Sequence, residues 1–410
     1  MASSPFIQCL LLFAFLSFSN AQIELPSSAT QPASIVFDLE RDASTLQYMI
    51  KLDQGTPRTV ANLVLDMGGV VTWLRCNKAS SSYQLVDCRT PQCLLGSRPI
   101  TTTCGDNNSA CNMVTVNPVT RAAGNSELIS DLVTVVPNPD SDGIPPVSPS
   151  RFRFGCPTTS NIFSGLAKGS TGVASIGRTS VISLVNQFSV QLKFSRIFAL
   201  ELYNSSGMIY FGGGPYIHSD FSSGGIKDRV LEYTPLLINP VRTAGYYVDL
   251  KSIQVYGKAV PIDEKLLSIN QETGFGGTEI NILAPYTTLE TAIYKAFIKV
   301  HTEWAKSKNI AMAASVAPFT ACYKSSTIPP EFESGLPVVP PSVAFNFPRS
   351  QWRVVWWDLV QVKDDVKCVA FVDGGSKPTS SIVIGAHQIG FGEFDISRSR
   401  FGFQQPNFML

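Results

Sequence analysis

Asp66 closes the apolar run Leu63-Val64-Leu65-Asp66-Met67-Gly68-Gly69, and a matching run further along reads Thr278-Glu279-Ile280-Asn281-Ile282-Leu283-Ala284, with an amide where a second acid would stand. Two carboxylates close enough to share one proton can activate water with one group and donate to a substrate carbonyl with the other. An asparagine amide can do neither. The pair Asp66 and Asn281 therefore reads as a hydrolytic site with half of its catalyst removed.

The two runs are equated through an internal repeat that is weak in letters and clear in order. The Asp66 strand is followed by Gly172-Val173-Ala174-Ser175-Ile176-Gly177, and the Asn281 strand is followed at a similar distance by Ser381-Ile382-Val383-Ile384-Gly385. Each half thus pairs a buried apolar strand with a second one that ends at a glycine, where backbone can pass close. Two lobes of one design are expected, at 22–220 and 221–410, after a leader at 1–21.

Composition narrows the function classes. With 410 residues, 15% of them charged, and a formal net charge of +1, the chain shows neither a nucleic-acid footprint nor a polyanion-binding tail. Residues 6–18 are almost wholly apolar and Ser19-Asn20-Ala21 offers small residues for cleavage, the pattern of a secretory signal. No later stretch is long and apolar enough to span a bilayer, so the expected product is soluble and exported.

Removing Cys9 with the leader leaves eight cysteines, an even number that in an oxidising compartment predicts four disulfides. Cys76, Cys88, Cys93, Cys104 and Cys111 crowd one stretch, Cys156 stands apart, and Cys322 and Cys368 are alone in the second half. Parity pairs Cys322 with Cys368 and sends Cys156 back to the crowded stretch. A zinc site is the rival, but no CxxC or neighbouring histidine supports it. No metal or other cofactor is expected. Asn107 and Asn204 open acceptor sequons for N-glycosylation.

Strand-like runs at 63–71, 128–136, 208–211, 248–255 and 366–372 are separated by Gly, Pro, Asn or Ser, which predicts a mainly β protein. The best helix covers 287–308, with Thr287 and Glu290 as a capping box, and a shorter one covers 180–192. A proline-rich loop is expected at 137–149. None of His218, His301 and His387 has a nucleophile turn nearby, so packing or surface roles are expected for them. Trp352, Trp356 and Trp357 could stack on sugar rings, although core packing explains them more simply.

In this order the features resemble the pepsin-like aspartic protease fold. Within it they resemble the plant extracellular group of xyloglucan endoglucanase inhibitors, extracellular dermal glycoproteins, wheat xylanase inhibitors and basic seven-S globulins. The resemblance rests on Gly276-Gly277-Thr278, Pro285 with the following Tyr286-Thr287-Thr288-Leu289-Glu290, Ala314-Ser315-Val316-Ala317-Pro318-Phe319-Thr320-Ala321-Cys322, Ser381-Ile382-Val383-Ile384-Gly385-Ala386-His387-Gln388 and Ser399-Arg400-Phe401-Gly402-Phe403. It implies a bilobal acid-protease fold with two β lobes and a few short helices.

The departures from that family pattern carry the functional reading. Met67 and Gly69 stand where active members place hydroxyl residues that orient the dyad, and the stretch matching the substrate-covering flap, 117–126, has no aromatic residue. Glu201 stands where relatives carry a cysteine, so that bridge is expected to be missing. The resemblance implies an inactive, monomeric protein whose loops enter and block a secreted glycoside hydrolase, a target that places two carboxyl groups across a sugar site. Arg400 lies where such inhibitors present an arginine fork, with Arg398 beside it. Met312 replaces a second arginine in the other inhibitory loop, 309–314. A non-inhibitory storage, defence or ligand-binding globulin is the alternative, and an atypical aspartic protease a distant third.

Overall fold

The computed structural model describes residues 34–95, 102–105, 108–134, 151–214, 216–220, 225–329, 342–355 and 358–405. The leader at 1–21, the sequon residue Asn107, the proline-rich loop, Trp356 and Trp357 lie outside them. The chain is mainly β, with 21 strands joined in one large sheet and smaller sheets of two, four and four strands.

The internal repeat appears as two parallel strand pairs. Thr59–Asp66 runs parallel to Gly172–Ser175, with Asp66 opposite Ser175. Thr278–Ile280 runs parallel to Ile382–Ile384, and Asn281 continues that pairing by donating its N–H to the Ile384 carbonyl at 3.0 Å. Parallel strands buried on both faces read as near-continuous apolar runs, which is why both were visible in the sequence. The glycine after each second strand is a packing requirement. A Cβ on Gly177 would collide with the Gly69 carbonyl, and one on Gly385 with the Tyr286 backbone.

Six antiparallel strands run across both halves of the sequence in the order Ile35–Arg41, Ser206–Phe211, Ile197–Leu202, Phe391–Asp395, Arg400–Gln404 and Leu231–Leu237. Side chains alternate between the faces of this ribbon. One face is aromatic: Phe198 stacks on Phe394 with ring centroids 4.7 Å apart, and Trp352 packs on Phe401 and Phe403. Trp352 is thereby buried in the core and cannot serve as a sugar platform.

The opposite face of the same strands carries Glu201, Glu393 and Asp395, all buried. Glu201, which stands in place of a cysteine expected in relatives, pairs with Arg229, and both side chains are 6% exposed. Tyr203 and Tyr210 donate to the same carboxylate, while Arg229 also donates to Gln404 and lies 4.5 Å from the centre of the Phe391 ring. Both oxygens of the Glu201 carboxylate and both terminal nitrogens of Arg229 are thus engaged, the condition under which such a pair is tolerated in a core.

Four disulfides join Cys76 to Cys156, Cys88 to Cys104, Cys93 to Cys111 and Cys322 to Cys368. The long helix spans Thr291–Ser307, and its start differs from the expected one. Glu290 is the cap and accepts from the N–H groups of Ala292 and Ile293. Thr287 belongs instead to the strand Thr287–Leu289, where its hydroxyl donates to Gln388 at 2.8 Å. The shorter helix is Leu184–Leu192.

His301, on the long helix, is wholly buried between the hydroxyls of Tyr256 and Tyr323, at 2.8 and 2.9 Å. Tyr256 in turn donates to Asp358. His387 is buried against the Leu359 carbonyl, and burial pushes its pKa down to about 4. Both histidines serve packing. Glu201→Ala, which strands the Arg229 charge in the core, is expected to destabilise the protein by about 3–5 kcal/mol. Denaturant unfolding with the disulfides intact would measure this, and Glu201→Gln should lose less because it keeps the side-chain volume and one acceptor oxygen for a tyrosine or Arg229.

Candidate functional site

Asp66 is 6% exposed, and its carboxylate accepts the Gly68 N–H at 2.9 Å. Asn281 repeats the arrangement, its Oδ1 accepting the Leu283 N–H at 3.0 Å. The two side chains flank Gly68: a Cβ there would lie 3.7 Å from Asp66 Oδ1 and 3.9 Å from Asn281 Nδ2. The structure thus brings together the acid and the amide that the sequence singled out.

The nitrogen of the amide is engaged as well. Asn281 Nδ2 donates to Glu279 Oε1 at 3.2 Å, and Glu279 Oε2 accepts from Ser380 at 2.8 Å and Tyr247 at 3.4 Å. Glu279 is a second carboxylate near the site that sequence reading missed, although its position two residues before Asn281 on a strand puts both side chains on one face. Its carboxylate is bonded to Asn281, Ser380 and Tyr247. Among the described residues no carboxyl group is hydrogen-bonded to Asp66.

Hydroxyl support for the acid is also altered. Met67 is buried and apolar, and a side chain at Gly69 would collide with Ser175 Oγ and Asp66 Oδ2. Ser175 fills that space with its hydroxyl turned to the Val71 carbonyl at 2.7 Å. The stretch matched to a flap is a hairpin, with Asn108–Val116 paired to Ala123–Asp131. Its turn is held by Asn117, which is buried, donates to the carbonyls of Ile162 and Ser164, and accepts from the N–H groups of Val119 and Thr120. Arg121 at the tip takes φ 62°, and its charge is felt at Asp66. It too went unnoticed in the sequence, where nothing links it to residue 66.

Arg400 donates through Nε to the wholly buried Asp395 at 3.0 Å, and its guanidinium lies 3.8 Å from the centre of the Tyr233 ring. Its two terminal nitrogens have no hydrogen-bond partner among the described residues, and the side chain is 32% exposed. Arg398, 67% exposed, shares the same carboxylate through Nη1 at 3.2 Å. Met312 lies elsewhere, on the four-stranded sheet that holds Cys322 and Cys368, where it is 52% exposed at a groove of about 530 Å³ with Ile310 and Lys306. Asn204 is exposed in a turn between two strands.

Burial pushes the Asp66 carboxyl up to about 6 from an ordinary 3.8; the Gly68 N–H and Arg121 oppose the rise, while Glu279 adds to it. The folded chain therefore holds this proton more tightly than the unfolded one. Its contribution favours folding at pH values below the unfolded pKa and is lost as pH rises through the folded one. Asp66→Asn is expected to exceed the parent in stability by up to about 3 kcal/mol at neutral pH, and to match it at about pH 3.5. Denaturant unfolding at the two pH values would read the difference, and an advantage that persists in acid would contradict the assignment.

Comparison with known proteins follows this geometry. The family model described as xylanase inhibitor N-terminal matches residues 48–213, and that described as xylanase inhibitor C-terminal matches residues 245–405. The chain is 37% identical to "Probable aspartic proteinase GIP2" of Nicotiana benthamiana, over 98% of this chain and 95% of that protein. It is 32% identical to "Gamma conglutin 1" of Prunus dulcis, over 98% and 94%. Among solved structures it is similar to "Crystal structure of edgp", with TM-score 0.82, 36% identity and coverage of 92% and 95%. It is also similar to basic 7S globulin from soybean, with TM-score 0.75, 28% identity and coverage of 92% and 98%. The chain belongs to the xylanase-inhibitor family of the pepsin-like aspartic protease fold, a family with non-catalytic, globulin-type members.

Proposed function

We propose that this protein is a secreted, catalytically silent member of its family that binds and blocks a cell-wall-degrading glycoside hydrolase, of the endoglucanase or xylanase class, in plant defence. The observation that carries the reading is the amide at 281. Its oxygen accepts from Leu283 and its nitrogen donates to Glu279, so it neither takes a proton from water nor gives one to a carbonyl. The gap in the dyad, the hydroxyl left out at Gly69 and the flap without an aromatic all point the same way.

Binding needs different equipment, and the hairpin turn at 396–399 supplies it. Arg400 is oriented by Asp395 and Tyr233 with its two terminal nitrogens unbonded among the described residues, an arrangement that loses little side-chain freedom when it meets a carboxylate. The family description supports a glycosidase as the kind of target. The globulin reading is favoured by one finding, the similarity to gamma conglutins and basic 7S globulins at 29–32% identity. The two-lobe division at 220/221 and glycosylation at Asn204 belong to the same proposal.

Purified protein should inhibit at least one enzyme in a panel of endoglucanases and xylanases. Arg398→Ala and Arg400→Lys should each weaken that inhibition by about tenfold or more, because lysine supplies a point charge and no fork. Met312→Arg, which restores a second fork, should tighten it. With denatured protein as substrate at pH 3–6, no turnover is expected. Peptide cleavage blocked by a transition-state mimic of amide hydrolysis would overturn the reading.

A further inference from the structure

An exposed apolar patch lies beside the arginine turn. Ile238, Val241 and Phe275 are 63%, 58% and 49% exposed. They project from two loops, 238–243 and 270–276, that are pinned to each other. Asn239, 1% exposed, donates to the Gly274 carbonyl at 2.7 Å and accepts from the N–H groups of Val241 and Arg242. Arg242 donates to the carbonyls of Gly274 and Thr379, and its guanidinium lies 5.8 Å from the centre of the Phe275 ring. Val241 packs against Gly274, where even a Cβ would approach its side chain to 2.8 Å.

The patch is continuous with the turn at 396–399. Arg178, 5% exposed, donates to the Leu237 carbonyl at 2.8 Å and to Ser399 Oγ at 3.3 Å, while the Leu236 N–H donates to the Ser399 carbonyl. Arg196, exposed, meets the other side of the turn: its N–H donates to Ser397 Oγ and its carbonyl accepts from Ile396. The local charge is unbalanced. The guanidinium groups of Arg178, Arg196, Arg242, Arg398 and Arg400 belong to these elements, and the nearby carboxylates are four: Asp395, already shared by two of them, the buried Glu393 bonded to Tyr233, Glu279 and the exposed Glu272.

We infer that Ile238, Val241 and Phe275 form the apolar anchor of a docking face whose charged element is the turn at 396–399, and that its occupant is the carboxylate-lined cleft of a glycoside hydrolase. The inference rests on the function proposed above and names the surface that would serve it. Charge complementarity selects the occupant: the arginine excess suits an acidic cleft and disfavours a basic or neutral one. Interface energy concentrates where an aromatic or aliphatic anchor is flanked by arginine and closed to water. The loops are held by the hydrogen bonds of the buried Asn239 and the half-buried Arg242, so docking them freezes little backbone.

The test uses the full-length mature protein and whichever panel hydrolase the parent inhibits. Val241→Asp and Phe275→Asp place like charge against the partner's carboxylates, and each should raise the inhibition constant at least tenfold, with the double variant worse. Val60→Asp, at a valine 58% exposed on a different strand, should change it less than twofold. Thermal unfolding of each variant checks that the fold is kept. Parent inhibition that is weakened by Arg398→Ala but untouched by Val241→Asp and Phe275→Asp overturns the anchor and leaves the proposed function standing. A parent that inhibits none of the panel overturns both.

Discussion

A carboxylate taken out of water needs a proton, a counter-charge or donors, and Asp66 has been left with few of each. In a two-acid site the missing partner would share its proton. Here an amide stands in that place, and burial leaves the acid with a proton of its own up to about pH 6. Asn281 is fixed by Glu279, Glu279 by Ser380 and Tyr247, and Tyr247 by Arg242, whose Nε donates to its hydroxyl at 2.9 Å. Asn281 is thereby one end of a static polar chain that leads out to the two pinned loops carrying Val241 and Phe275.

The same constraint organises the underside of the six-stranded ribbon. Alternation puts Phe394 into the aromatic core and therefore forces Glu393 and Asp395 to the other face, where each must be satisfied. Tyr233 donates to Glu393 at 2.9 Å, and Arg398 and Arg400 converge on Asp395. A buried acid thereby orients two surface arginines. Arg178 and Arg242 are fixed in another way, by backbone carbonyls, so the positive character of this region is built in without a matching number of acids.

Much of this frame is legible in the chain because it rests on short-range pattern. The runs ending at Asp66 and Asn281, the glycines at 177 and 385 and the apolar face of the long helix each declare themselves within a few residues. What could not be read depends on partners distant in sequence. The hydroxyl of Thr287 looks like a helix cap until Gln388, a hundred positions away, takes it. Arg121 and Asp66 are related only through the folding of the hairpin over the strand ends. Arg400 was recognisable by its place in the last hairpin. That Asp395 and Tyr233 hold it in a fixed plane was not, because Tyr233 comes from a strand far upstream.

The separation of the two ends of the polar chain has a consequence for pH. Asp66 changes charge near pH 6, and it does so at a buried position that the proposed interface does not use. Arginine keeps its charge throughout that range. Stability can therefore shift with acidity while the arginines of the proposed docking face stay charged, and the carboxyl groups of the partner attract that turn only when they are ionised.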